Sequence, residues 1–280
     1  EILEINKIIG VSMQHVGDFF KPRRKISNDD LVKDKITVQQ ITNSNKEELE
    51  LFFEEPVFDG YYSNSCYQQR ISEALDNFND QKNTDFLNEW NHFIFHLPYA
   101  FQGRRMMLDI WLKWLKEKNK LKELELEIGL LKDSDLKEWK KAASKSSFYK
   151  EFVSLKIADG EEASAYIGNM YTASIFMSLV SLLTIANEKK QLLHGNKIGF
   201  LSYGSGSKSK ILEGVISKNW KEKISTLNVF ESIKEREVID FETYEKIHNG
   251  AQKSPIKNNS AIVLTEIETK ENKTGFRYYN

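Results

Sequence analysis

The chain has 280 residues, 40% apolar and 12% aromatic, enough for a sizeable core in one large domain or two small ones. Forty basic residues against forty-one acidic ones leave a net charge of −1, so neither nucleic acid nor an anionic membrane meets a broad complementary field. One cysteine, Cys66, excludes an internal disulfide, and five histidines without a Cys or His pair at ligand spacing argue against a metal site; the composition suits a soluble protein of the reducing cytoplasm.

The start, Glu1-Ile2-Leu3-Glu4-Ile5, lacks the basic n-region of a signal peptide, the Arg/Ser richness of a transit peptide and an initiating Met, so the chain is expected to begin mid-protein. There is no internal repeat or Pro-rich linker, and a single unit over 1–280 is expected. Residues 25–50 mix Asn, Asp, Lys and Thr between short apolar runs and read as a surface excursion. A helix is predicted over 63–78, capped by Ser63, with Tyr67, Ile71, Leu75 and Phe78 on one face. The apolar run 92–96 reads as a buried strand that stops before Leu97-Pro98. From Tyr99 the stripe Gly103, Met106, Met107, Ile110, Trp111 and Trp114 predicts a helix with Arg104, Arg105, Lys113 and Lys116 on or beside its wet side.

Residues 119–150 are charge-rich and read as an exposed helical insertion. The segment 170–186 is apolar almost all round, and its small residues predict a helix buried between layers; Ser174, Ser178, Ser181 and Thr184 keep it from reading as a membrane span. Next comes a strand over 197–203, a turn at Gly204-Ser205-Gly206 and a hairpin partner over 211–217. A helix over 230–247 and strands over 261–267 and 276–279 complete a layered α/β pattern.

Four places carry candidate chemistry. His96 sits where a strand ends and a helix begins, a place for a catalytic base or for a core histidine bonded to a carbonyl. Arg104 and Arg105 suit a phosphate or pyrophosphate, or else a solvated face with Arg105 pairing Asp109. Asn169, after Gly168, offers a donor and an acceptor to a carbonyl, or caps the helix that follows. Ser205 could meet a developing oxyanion, or simply make a tight turn. The segment 204–209 lacks the spacing of a P-loop and of a nucleophile elbow, and Cys66 has no His or Lys one helical turn away, so it reads as a packed thiol.

Five ordered strings resemble motifs of the hydroxymethylglutaryl-CoA synthases. They are Met13-Gln14-His15-Val16-Gly17-Asp18-Phe19-Phe20-Lys21-Pro22; Val57-Phe58-Asp59-Gly60 with Ser63, Cys66 and Tyr67; Phe95-His96-Leu97-Pro98-Tyr99; Gly168-Asn169-Met170-Tyr171-Thr172; and Phe200-Leu201-Ser202-Tyr203-Gly204-Ser205-Gly206. The resemblance implies a thiolase-like, five-layered αβαβα fold of which this chain holds the second half. It implies acyl transfer, condensing acetyl-CoA with acetoacetyl-CoA to 3-hydroxy-3-methylglutaryl-CoA in the mevalonate pathway. By the same likeness His96 polarises and places acetoacetyl-CoA, Asp18 supports the acetylation step, Asn169 contacts the acyl part, Tyr203, Gly204 and Ser205 lie beside the thioester, and Arg104 and Arg105 meet the CoA phosphates. No cofactor is expected, since CoA thioesters are substrates; a homodimer is expected, with no nucleic acid or membrane partner.

Two departures matter. Phe101 stands where the family usually has a lysine, removing one expected CoA contact. No segment matches the family's acyl-accepting cysteine or its general acid/base glutamate, so the chain is expected to be the C-terminal part of a longer synthase and inactive alone. Rival expectations are a polyketide β-branching synthase acting on carrier-protein-bound acetoacetate, and a non-catalytic acyl-CoA-binding thiolase-like module.

Overall fold

The computed structural model describes residues 1–27, 48–53, 55–131, 135–252, 256 and 264–280. In chain order the elements are β1 (Leu3–Met13), β2 (Phe19–Phe20), β3 (Arg23–Ser27), β4 (Glu48–Phe52), β5 (Val57–Phe58), α1 (Gly60–Lys82), α2 (Phe86–Glu89), β6 (His92–Phe95), α3 (Gln102–Glu117), α4 (Leu121–Ile128), α5 (Leu136–Ala143), α6 (Ser147–Lys156), α7 (Ala158–Ile167), α8 (Ala173–Glu188), β7 (Lys197–Gly204), β8 (Lys208–Ile216), α9 (Trp220–Ile224), α10 (Val229–Lys234), α11 (Phe241–His248), β9 (Leu264–Ile267) and β10 (Arg277–Tyr279). They fall into two compact units, Glu1–Phe230 and Glu231–Asn280. Read from the sequence the chain is one unit, because no Pro-rich stretch announces a division.

Four strands of the first unit form a mixed sheet in the order β1-β8-β7-β6. Both outer pairings made by β8 are antiparallel, whereas β6 and β7 run parallel with His92 opposite Ile198 and Phe95 opposite Leu201. Alternation along the strands sends side chains to opposite faces. Phe93, Phe95, Leu201 and Ile211 join a core with Ile71, Leu75 and Phe78 of α1 and Met107 and Trp111 of α3. Ile94, Ile198, Phe200 and Ile216 join a second core with Leu182 and Leu183 of α8 and Trp220 of α9. The sheet therefore lies between two helical layers, as its buried, two-sided strands require.

Several sequence expectations change in detail. Asp59, not Ser63, caps α1, its Oδ1 accepting the Tyr62 N–H at 2.9 Å. The described residues of 119–150 carry α4, α5 and the start of α6 but are not simply exposed: Leu124, Trp139, Ala143 and Tyr149 are buried in the first core, because short helices dense in charge still turn one face inward. Most of 25–50 lies outside the described residues, and its flanks pair as antiparallel strands, Arg23 opposite Phe52 and Ser27 opposite Glu48. Helix α8 starts at Ala173 rather than 170, and Phe176 is 65% exposed, so one side of it is uncovered in this chain. Its inner side is lined by small hydroxyls: Ser181 Oγ donates to the Asp159 carbonyl at 2.6 Å and accepts the Ala163 N–H at 3.1 Å, which ties it closely to α7.

In the second unit the helix expected over 230–247 is interrupted. A new start at Asp240, whose carboxylate accepts the Thr243 N–H at 2.7 Å, nucleates α11 separately. The described part of the next expected strand, β9, pairs antiparallel with β10.

Candidate active site

The site is assembled where β6, β7 and the start of α8 meet. Past the end of β6 the pairing runs one residue further, His96 N–H donating to the Leu201 carbonyl at 3.0 Å, and Leu97-Pro98 then turns the chain away. At the end of α7, Gly168 takes a φ of 87°, a region that glycine enters without penalty. Asn169 follows it, and its Oδ1 accepts the Tyr171 N–H at 2.7 Å in an Asx-type turn, so it is not the cap of α8. The Asn169 NH2 group has no hydrogen-bond partner among the described residues.

A cleft of about 560 Å³ brings together His96, Asn169 and the run Tyr203, Gly204 and Ser205, three segments that are far apart in sequence. Phe19, Phe58, Tyr67, Tyr99 and Tyr171 supply most of the remaining wall. Among the described residues, the lining includes no carboxylate, thiol or amine. Tyr67 stacks on Tyr203 with centroids 4.5 Å apart, and its hydroxyl donates to the His96 carbonyl at 2.6 Å. Nδ1 of His96 lies 3.1 Å from Ser174 Oγ. Burial lowers the His96 pKa below the ordinary histidine range, so the imidazole is neutral near pH 7.

Asp18 does not line this cleft. It is fully buried behind the wall, its Oδ2 accepting from Tyr203 OH at 2.9 Å and Ser63 Oγ at 3.1 Å, and its Oδ1 accepting the Gly206 N–H at 2.8 Å. One carboxylate thereby holds α1, the end of β7 and the 204–206 turn in register. Burial, and then the bond to Asp18, raise the Tyr203 pKa, which keeps that phenol protonated.

The two arginines part company. Arg104 lies 2.7 Å from the buried carboxylate of Glu161 through Nε and Nη2, and its backbone N–H donates to the same group at 3.1 Å. Arg105 donates to Tyr99 OH at 3.2 Å and lies over that ring, which also lines the cleft; it does not pair Asp109, which meets Lys140 instead. Sequence patterning misses Glu161, Ser174 and Tyr99 as parts of this arrangement. Ser174 leaves a trace as a polar residue at the start of an apolar run, and Tyr99 as the end of one of the five ordered strings; Glu161 leaves none.

Comparison with known proteins bears on this geometry. A family model described as the C-terminal region of hydroxymethylglutaryl-coenzyme A synthase matches residues 46–274. A hydroxymethylglutaryl-CoA synthase of Schizosaccharomyces pombe is 26% identical over 261 residues, covering 89% of this chain and 52% of the relative. A structure of MvaS in complex with 3-hydroxy-3-methylglutaryl coenzyme A matches with a TM-score of 0.66 at 22% identity, over 100% of this chain and 58% of that one. The HMG synthase of the curacin biosynthetic pathway matches at 0.64 and 16%, over 100% and 58%. Their mixed α/β, thiolase-like fold is the fold of this chain, which spans about half the length of the curated relatives it matches.

Proposed function

The chain belongs to the hydroxymethylglutaryl-CoA synthase family, and from that premise we propose that it supplies the acetoacetyl-CoA-binding wall for the condensation of acetyl-CoA with acetoacetyl-CoA to 3-hydroxy-3-methylglutaryl-CoA in the mevalonate pathway. The make-up of the cleft carries this reading. Its imidazole, its amide and its Tyr203–Ser205 turn converge on one largely aromatic surface without a charged group. Such a surface binds a neutral thioester and offers fixed donors to an oxygen on which charge develops.

In this reading the acetoacetyl keto oxygen takes hydrogen bonds from His96 and from the Asn169 amide, while the thioester rests against Gly204 and Ser205. As an acetyl carbanion adds to the keto carbon, the oxygen gains negative charge and these neutral donors strengthen their hold on it. Asp18 touches no substrate; it is a positioning residue that holds Tyr203 and the turn. An acyl-accepting thiol is the part the cleft does not provide: Cys66 is buried in α1 and does not line it. The 280 residues by themselves therefore bind acetoacetyl-CoA without turning it over. No cofactor enters the reading, and a homodimer in a reducing, cytoplasmic compartment belongs to it, the latter in keeping with a single buried free thiol.

A second reading, a polyketide β-branching synthase that takes acetoacetate from a carrier protein, is favoured by the placement of the cations. Phe101 replaces an expected lysine and Arg104 is tied to Glu161, which leaves Arg105, against the cleft-lining Tyr99, as the member of the pair not held by a buried carboxylate.

Titration calorimetry with acetoacetyl-CoA and with acetoacetyl-carrier protein tests both. Acetoacetyl-CoA is expected to bind, with His96→Ala and Asn169→Ala each weakening it about tenfold, the worth of one good hydrogen bond. Preference for the carrier-protein form would select the second reading. Binding of neither acceptor, or binding unaffected by both substitutions, would sink the site; product formed from acetyl-CoA by this chain alone would sink the claim of inactivity.

A further inference from the structure

Ser174 is fully buried in the first turn of α8, and its hydroxyl has two neighbours among the described residues. The Leu97 backbone N–H donates to Ser174 Oγ at 2.9 Å, and His96 Nδ1 lies 3.1 Å from the same oxygen. A hydroxyl has one hydrogen to give. An amide N–H cannot receive it, so if Nδ1 also carried a proton the Ser174 hydrogen would sit buried without an acceptor, which carries a desolvation cost. That cost disappears when Nδ1 is the bare nitrogen. The other ring nitrogen, Nε2, has no protein partner among the described residues, although His96 lines the cleft.

We propose that Ser174 is the positioning residue that sets the tautomer of His96: held by the Leu97 N–H, its hydroxyl donates to Nδ1, so that Nε2 carries the proton and faces the cleft as a hydrogen-bond donor. The inference deepens the functional reading above and rests on it for the meaning of that donor. Burial of the imidazole keeps it neutral, the state in which a choice of tautomer exists. The arrangement makes a histidine act as an electrophile toward a carbonyl oxygen rather than as a base. It also explains why a helix otherwise rich in apolar residues begins with a buried serine beside β6.

Nitrogen-15 NMR of the imidazoles in the folded chain tests the assignment, with His96 identified by the signal lost in His96→Gln. The unprotonated nitrogen is expected to be Nδ1; a protonated Nδ1 in the unsubstituted chain overturns the inference. Ser174→Ala is expected to give a mixture of tautomers, and Ser174→Thr, which keeps the hydroxyl, to restore the single form. An unchanged spectrum in a folded Ser174→Ala chain overturns the role of the serine, and if that variant does not fold, the unsubstituted spectrum and Ser174→Thr still decide. Titration with acetoacetyl-CoA separates the two proposals. The expected spectra with no binding refute the functional reading and leave the tautomer standing, whereas binding with a protonated Nδ1 does the reverse.

Discussion

At the scale of single residues, chemistry is decided by who else claims the side chain. Arg104 and Arg105 are equivalent in the sequence, yet one neutralises a buried carboxylate and the other lies on the cleft-lining Tyr99. Glu161 is nearly inaccessible, and burial raises its pKa against the pull of Arg104. Arg104→Ala is therefore expected to cost about 2 kcal/mol of stability, less than a fully buried pair because the guanidinium is partly wet; Arg105→Ala should leave stability unchanged and weaken CoA binding several-fold. Urea denaturation and calorimetry on the two variants check this, and equal effects on both readouts would contradict it. Asn169 was legible as a polar group next to a flexible glycine, but whether its oxygen capped a helix or closed a turn depended on where α8 began. His96 was legible at its strand end; its bond to Ser174 joins residues 78 apart, which no local pattern carries.

Elements were read best where burial imposes a period. The parallel neighbours β6 and β7, the hairpin of β7 with β8, and α1 and α3 all show an apolar stripe or run in the sequence. Strand β1 was missed because its hydropathy runs against its burial: Gly10 and Ser12 are the buried positions, whereas Ile9, Val11 and Met13 are exposed. Close approach is a second kind of information hidden from periodicity. A Cβ on Gly199 of β7 would fall 1.9 Å from Trp90 Cε3, and Trp90 is itself buried, its Nε1 donating to Glu213 at 2.7 Å. Gly199→Ala is expected to lower stability by about 1–3 kcal/mol through overpacking. Gly17→Ala, where the nearest atom is the Phe20 ring at 3.7 Å, is the control and should be near neutral. Comparable denaturation midpoints for the two would refute the packing argument.

For the molecule as a whole, two histidines make stability respond to acid. Burial lowers the His92 pKa to about 4 and that of His96 below its ordinary range. Between about pH 6.5 and 4 the unfolded chain takes up a proton at His92 that the folded chain refuses, so stability is full above that window and falls as pH drops through it, by up to about 1.4 kcal/mol per pH unit. Glu161, whose raised pKa works in the opposite sense, offsets part of this. Denaturation midpoints at pH 7 and pH 5 should therefore diverge less in His92→Gln than in the unsubstituted chain; an equal divergence would remove His92 as the cause. Local pattern was enough for the layered α/β class, the family and the segments that meet in the cleft, because buried strands and ordered motifs leave readable traces in the sequence. The fold, in contrast, had to show that Asp18 braces the cleft from behind, that Arg104 is taken by Glu161 and that Ser174 lies against His96. Those are matters of which side chains meet across the fold, because a buried polar group must find its hydrogen-bond partners there rather than in water.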